Sequence, residues 1–386
     1  MQTSMMFKPN QPRLQAMKIG VPKEIKNHEY RVGLSPASAK ELITYGHSVT
    51  IETGAAAGIG LSDEAYTKVG ATISDSAQSI FAESEMIIKV KEPQAAECKQ
   101  LSEGQLLFTY LHLAPDTQQT KLLLESGVTA IAYETVTGPN NSLPLLAPMS
   151  EVAGRLAAQA GAHCLERAQG GCGVLMGGVP GTEPAKVLVI GGGVVGQNAA
   201  YIARGMGANV TILDRSISKL RQLDVEFAGK ANCVYSTTEA IERYAMESDL
   251  VIGAVLIPGA NAPKLITREV ISQMKPGSVL VDVAIDQGGC LETSKATTHQ
   301  DPTFVVDDVV HYCVANMPGA VPQTSTYALN NATLPFSLSL ANQGWKKAVQ
   351  QDPNLLNGLN VHAGKLTYEA VAKAQDLNYT DPTTLI

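Results

Sequence analysis

Three observations predict an α/β protein built on doubly wound parallel sheets. From Met17 to about Phe304, short apolar runs alternate with helical patterns, which is how βα units read in a sequence. One apolar run passes directly into a glycine-rich turn, Gly191 to Gly196, and then into a helical pattern. The 34 glycines, set against 5% aromatic residues, suit many tight βα turns better than an aromatic-rich β-sandwich. The chain has 386 residues, room for two or three domains at ~150 residues each. Cores of that size need no metal or disulfide to hold them.

In the first part of the chain, Lys18–Val21, Ser48–Glu52, Met86–Val90, Leu106–Leu111 and Thr129–Glu134 read as strands. Pro36–Tyr45, Leu61–Val69 and Asp116–Glu125 read as helices, the first entered through Ser35-Pro36, with proline tolerated in a first turn. Thr137–Met149 is rich in turn residues and breaks the series. Ser150–Ala168 follows as an Ala-rich helix with Ser150 as its N-cap. After a Gly/Pro stretch, Gly170–Pro184, a second series gives strands at Lys186–Ile190, Asn209–Leu213, Asn232–Tyr235, Leu250–Ala254, Ser278–Ala284 and Thr303–Val306. Six strands match a doubly wound dinucleotide fold. Thr324–Gln350 reads as one helical region, and Leu355–Ile386 as a tail packing back on the first domain.

The expected architecture is two doubly wound, Rossmann-like domains with a cleft between them. The first is discontinuous, from residues 17–149 and 321–386. The second, residues 150–320, is inserted into it, with hinges near Met149 and Pro322 for closure on a substrate. Residues 1–16 lack periodicity, an apolar core and a cleavage site, and are expected to be a disordered extension, with Met17 as the natural start.

The excluded classes follow from charge and cysteine use. Twenty-nine Lys and Arg against 36 Asp and Glu give a net charge of −7, which argues against binding nucleic acid through its phosphates. The six cysteines have no CxxC pair, so neither a zinc cluster nor a disulfide scaffold is indicated, and reduced thiols in the cytoplasm are expected. The uncharged stretch Val187 to Ala203 carries four glycines, a Gln and an Asn, and reads as strand, turn and helix, not as a membrane span.

Gly191, Gly193 and Gly196 form G-x-G-x-x-G in its required context: a strand before, a helix after, and a second strand ending at Asp214. The first glycine permits the turn, the second lets backbone approach a pyrophosphate, and the third allows helix and strand to pack closely. The helix N-terminus then faces the phosphates with unpaired N–H groups. Asp214 suits ribose hydroxyls and repels a 2′-phosphate, which favours NAD over NADP. Arg215 tempers that preference.

Several polar residues sit at carboxyl ends of strands, the edge where open α/β sheets place ligands. Arg31, in a loop, suits a bidentate grip on a carboxylate, or is a solvated surface arginine. Lys89 and Lys91 alternate at the carboxyl end of a strand, so both fit one face, or one of them is merely solvated. His112 is placed to exchange protons near neutral pH, or is structural. Asp286 ends the run Val279–Ile285 on the nicotinamide side, with Asp282 as the competing carboxylate. Asn316 lies past the sixth strand, within reach of a nicotinamide.

With these residues in view, the chain resembles the alanine dehydrogenase and soluble transhydrogenase NAD-binding subunit family. The blocks that carry the resemblance are MKIGVPKEIKNHEYRVGLSP from Met17, KVKEP from Lys89, LFTYLHLA from Leu107, AQGGCGVLMGGVPG from Ala168, VLVIGGGVVG from Val187, VDVAIDQGGC from Val281 and HYCVANMPGAVPQTST from His311. Cys172 and Gln323 depart from the family pattern, each standing where an arginine is commoner.

The resemblance implies NAD-dependent, reversible oxidative deamination of L-alanine to pyruvate and ammonium in a cytoplasmic homohexamer with no metal. A transhydrogenase-type NAD(H)-binding subunit is the alternative. It implies substrate binding by Arg31 and Lys91, and acid–base work by His112 and Asp286. It further implies cofactor contacts from Ser150, Asp214, Lys219, Ser236, Val255, Leu256, Val283, Ala284, Ile285, Asp286, Lys295, Val314, Ala315, Asn316 and Met317.

Overall fold

The computed structural model describes residues 16–255 and 262–386. The proposed extension, save Ala16, and Leu256 lie outside the described residues. The strands are β1 (Lys18–Val21), β2 (Ser48–Glu52), β3 (Thr72–Ser74), β4 (Met86–Ile88), β5 (Leu106–Thr109), β6 (Thr129–Ala132), β7 (Lys186–Ile190), β8 (Asn209–Asp214), β9 (Asn232–Tyr235), β10 (Leu250–Gly253), β11 (Val279–Asp282), β12 (Thr303–Val306), β13 (Val309–Tyr312), β14 (Leu359–His362) and β15 (Lys365–Leu366).

The chain divides into two compact units. One comprises residues through Leu146 together with Thr326–Ile386, and the other Ala147–Ser325. The first unit holds an eight-stranded sheet in the order β15-β14-β6-β5-β4-β1-β2-β3. Strands β1 to β6 run parallel, while β14 joins β6 antiparallel and β15 closes the edge. The central strands β4, β5 and β6 are mostly apolar and buried throughout, as helices covering both faces of a parallel sheet require. The order reverses between β1 and β4, so loops leaving those two strands diverge and open a crevice at their carboxyl ends.

The second unit holds a seven-stranded sheet in the order β12-β13-β11-β10-β7-β8-β9, parallel except for β12. Its reversal lies between β7 and β10. Valines and leucines from β7, β8, β10 and β11 fill the core, and alanines of the helices Ala147–Cys164 and Val194–Gly205 pack against them.

Several sequence expectations are corrected. Ser150 is not an N-cap, because the helix begins three residues earlier, at Ala147. The expected strand Ser278–Ala284 stops at Asp282, whose side chain accepts from the Ala284 amide and turns the chain into a 3-10 turn, Val283–Gln287. The second sheet has a further strand, β13, forming a hairpin with β12. The helical region Thr324–Gln350 is two helices, Pro322–Gln343 and Trp345–Gln351, separated at Gly344, whose φ of +75° leaves the helical region. The C-terminal segment contributes β14 and β15 to the first sheet.

Candidate active site

At the carboxyl edge of the first sheet, the loop after β1 carries Glu24, Glu29 and Arg31. Arg31 is 2% exposed, not solvated. Glu29 holds its guanidinium through Nε–Oε1 at 2.6 Å and Nη2–Oε2 at 2.5 Å. Burial works against the charge, but the Glu29 pair outweighs it and the Arg31 pKa stays raised. A carboxylate so close fixes the guanidinium plane, which a bidentate recognition role needs.

The loop after β4 carries Lys89, Lys91 and Glu92. Neither lysine is solvated. Lys89 is completely buried, with its ammonium 3.0 Å from Glu24 and 2.7 Å from Glu97. Burial disfavours that ammonium, yet the two carboxylates push its pKa up. Burial raises Glu24, an effect that Lys89 and the Val90 amide oppose. Glu24 Oε1 also accepts from the amides of Val90 at 2.7 Å and Lys91 at 3.3 Å, so the buried triad sets the backbone from which Lys91 projects. Lys91 lies 3.9 Å from Glu92. Burial pushes Glu92 up, but His112, Lys91 and Lys26 outweigh it and hold the carboxyl well below the usual carboxylate range. Lys26 pairs directly with Glu92 Oε1.

His112 follows β5 in a left-handed backbone conformation, φ +49°. Such a φ is uncommon outside glycine. Glu134, just past β6, holds it there by accepting from the His112 amide at 2.6 Å and the Leu111 amide at 3.1 Å. Tyr110 is buried beside it, donating to the Leu145 carbonyl at 2.5 Å. Arg31, Lys91 and His112 thus arise from loops at one edge of one sheet. Glu24, Glu29, Glu92, Glu97, Glu134 and Tyr110, which brace them, had no distinguishing sequence pattern. The one available signal was acidic residues directly after or a few positions from basic ones at strand ends.

At the carboxyl edge of the second sheet, Gly191 has φ +100°, and a Cβ there would lie 2.8 Å from the Ala254 carbonyl. A Cβ on Gly196 would lie 1.8 Å from the Gly191 carbonyl. A Cβ on Gly193 would meet no protein atom within 4 Å. Gly193 is also the N-cap of the helix Val194–Gly205 and offers no side-chain cap. Serine, threonine or aspartate side chains cap other helices, among them those at Ser35, Ser76, Asp116, Ser216, Thr237 and Thr267. Open space beside uncapped N–H groups fits a pyrophosphate.

Asp214 ends β8 and accepts from the Gly192 amide at 2.8 Å and the Ser216 amide at 2.7 Å. A carboxylate has further lone pairs for ribose hydroxyls. Lys219 passes close to this turn, its Cγ 3.4 Å from a Cβ placed on Gly192, and Arg215 is exposed. Ser236 follows β9, its amide bonded to the Asp214 carbonyl at 3.0 Å. Val255 follows β10 and flanks Gly191.

Val283, Ala284, Ile285 and Asp286 form the turn after β11, and Asp286 is exposed. Asp282 is fully buried, and its carboxylate is occupied by the Ala284 amide, the Cys290 amide and the Ser294 hydroxyl. It serves the turn, which leaves Asp286 as the accessible carboxylate. Val314, Ala315, Asn316 and Met317 follow β13. Asn316 adopts φ +63°, and its carbonyl lies 3.0 Å from His299 Nε2. Lys295 is exposed on a segment that Thr297 bridges to Val314. Ser150 lies in the first turn of the helix Ala147–Cys164. Among the described residues no helix is long and apolar enough to cross a membrane.

Comparison with known proteins agrees with the fold. Residues 20–153 match the model for the N-terminal domain of alanine dehydrogenase/PNT, and residues 157–369 match its C-terminal domain. An alanine dehydrogenase of Halomonas elongata is 61% identical over 370 residues, 96% of this chain and all of that one. An alanine dehydrogenase of Mycobacterium tuberculosis is 54% identical over the same shares. A solved L-alanine dehydrogenase superposes with a TM-score of 0.90 at 54% identity, covering 93% of this chain and 99% of that one. A transhydrogenase structure from Sinorhizobium meliloti is more distant, with a TM-score of 0.78 at 25% identity, covering 92% of this chain and 99% of that one. The chain belongs to the alanine dehydrogenase/PNT family.

Proposed function

We propose that this chain interconverts L-alanine and pyruvate, using NAD and releasing or consuming ammonium, with Arg31, Lys91, His112 and Asp286 as the working side chains. The activity follows from kinship: the chain is an NAD-dependent amino-acid dehydrogenase, and its 54–61% identical relatives are alanine dehydrogenases. The residue roles rest on one observation above the others, the origin of Arg31, Lys91 and His112 at a single sheet edge, braced by buried carboxylates.

In this mechanism Arg31, its plane fixed by Glu29, orients the substrate carboxylate. Lys91 meets the carbonyl oxygen or the amine that replaces it. Bound NAD supplies the acceptor for the hydrogen that leaves alanine Cα with its electron pair. The turn Gly191–Gly196, the open side of Gly193 and Asp214 suit its pyrophosphate and ribose. Loss of that hydrogen converts the amine into an imine. Water then adds to the imine carbon, and ammonia leaves the carbinolamine as pyruvate forms. His112 exchanges the proton of the carbon-bound oxygen through those last steps, and Asp286 assists water or amine.

Replacement of Arg31 by Ala is expected to raise the KM for pyruvate strongly; an unchanged KM would refute the carboxylate role. Turnover measured across glyoxylate, pyruvate and 2-oxobutyrate tests the assigned substrate: a preference for pyruvate supports it, and a marked preference for either of the others overturns it. A cytoplasmic homohexamer is the assembly that goes with this reading, and light scattering giving the mass of one chain would count against it.

A further inference from the structure

Among the buried polar atoms of the described residues that lack a hydrogen-bond partner, two in the first unit face each other. They are Glu92 Oε2 and His112 Nδ1, and they lie 3.6 Å apart. A shift of about 0.6 Å brings them to an ordinary N–H···O distance, and catalytic contacts of this kind often tighten only when substrate binds. The rest of His112 is already fixed, since Glu134 holds its amide and that of Leu111. The imidazole side chain is 39% exposed although Nδ1 is buried, so the open edge of the ring is the one carrying Nε2.

Glu92 is fixed in turn. It leaves β4 beside Lys91, whose ammonium lies 3.9 Å away, and Lys26 of the loop after β1 pairs with its other oxygen. Among the described residues, these two cations face the His112–Glu92 pair together with Glu134 after β6 and Tyr110 after β5.

We infer that Glu92 is a positioning residue whose carboxylate takes the Nδ1–H of His112, fixing the tautomer that presents Nε2 as the atom exchanging a proton with substrate. The pairing neither makes nor breaks a covalent bond: Nδ1 keeps its proton, and Nε2 alone gains or loses one. The inference rests on the proposed role of His112.

The test uses full-length protein labelled with 15N-histidine and saturated with NADH and pyruvate, without ammonium. His112 signals are assigned by their loss in His112→Asn. The wild type is expected to show Nδ1 protonated, and Glu92→Met to show the Nε2-protonated form or a mixture. In Glu92→Met, kcat is expected to fall about ten- to a hundredfold, with NADH affinity within about twofold because the glycine turn is untouched. Nδ1 still fully protonated in Glu92→Met overturns the inference.

Should Glu92→Met not fold, Glu92→Gln keeps an acceptor without the charge. The tautomer is then expected to persist, while the histidine limb of the pH profile of kcat/KM moves to lower pH by about one pH unit. An unmoved limb overturns the inference, because a merely structural Glu92 would not shift it. A His112→Ala enzyme that keeps turnover removes the mechanism itself. An inactive His112→Ala beside an unaffected Glu92 variant removes only the part given to Glu92.

Discussion

His112 shows how much of a functional side chain is decided by residues around it. Its position after an apolar run was legible in the sequence as a histidine at a strand's carboxyl end. Its left-handed backbone was not, because φ +49° at a non-glycine depends on Glu134, 22 residues away, accepting two amides. Replacing Glu134 with Ala is expected to lower kcat about ten- to a hundredfold, the cost of losing hydrogen bonds to a charged group, with NADH affinity retained. Steady-state kinetics with unchanged kcat would contradict it. Arg31 and Lys89 teach the same lesson: local sequence left a solvated reading open for each, and only distant or buried carboxylates, Glu29 for one and Glu24 with Glu97 for the other, exclude it.

At the level of elements, the glycine turn was the most legible feature, because each glycine answers a local steric demand. The structure separates those demands. Gly196→Ala places a Cβ 1.8 Å from the Gly191 carbonyl, so the turn and the helix start must shift. Gly193→Ala meets no protein atom. Thermal unfolding should therefore leave Gly193→Ala within about 0.5 kcal/mol of wild type while NADH titration shows weakened binding. Full NADH affinity in Gly193→Ala would mean that the cofactor does not approach that face.

The buried triad joins three elements: the loop after β1, the exit of β4, and the helix Ala95–Cys98. Lys89→Met leaves two buried carboxylates without their cation and is expected to cost about 3–5 kcal/mol in denaturant unfolding. A loss under 1 kcal/mol would show the triad to be solvated. Short or irregular pieces were the least legible. β3, β13, β14 and β15 are two to four residues long, and their pairing is set by tertiary contacts that carry no period in sequence.

For the whole molecule, two βα series and the break between them were visible in the sequence, and each became a sheet with a reversal of strand order. The return of the C-terminal segment to the first sheet is less visible, since it depends on β14 pairing antiparallel with β6. Stability should depend on pH through histidines held neutral by burial. His311 is fully buried in β13, stacked on Phe304, with Nδ1 on the Val309 carbonyl and Nε2 on the Thr293 hydroxyl. Burial holds its pKa below the ordinary value. Above about pH 6.5 neither the folded nor the unfolded form carries the extra proton; below it the unfolded chain takes one up first, so stability falls as pH falls. In His311→Phe the fall in unfolding free energy between pH 7 and pH 5.5 should be smaller than in wild type; an equal fall would assign the acid sensitivity to other groups.

The proposed amino-acid reaction has His112 at its centre. Loss of the NADH absorbance on adding pyruvate and ammonium tests it most directly, in wild type and in His112→Ala, with NADH binding checked in both. Rapid loss in the wild type and none in a His112→Ala enzyme that still binds NADH is the predicted result. No loss in a wild type that binds NADH, or undiminished loss in His112→Ala, would contradict it.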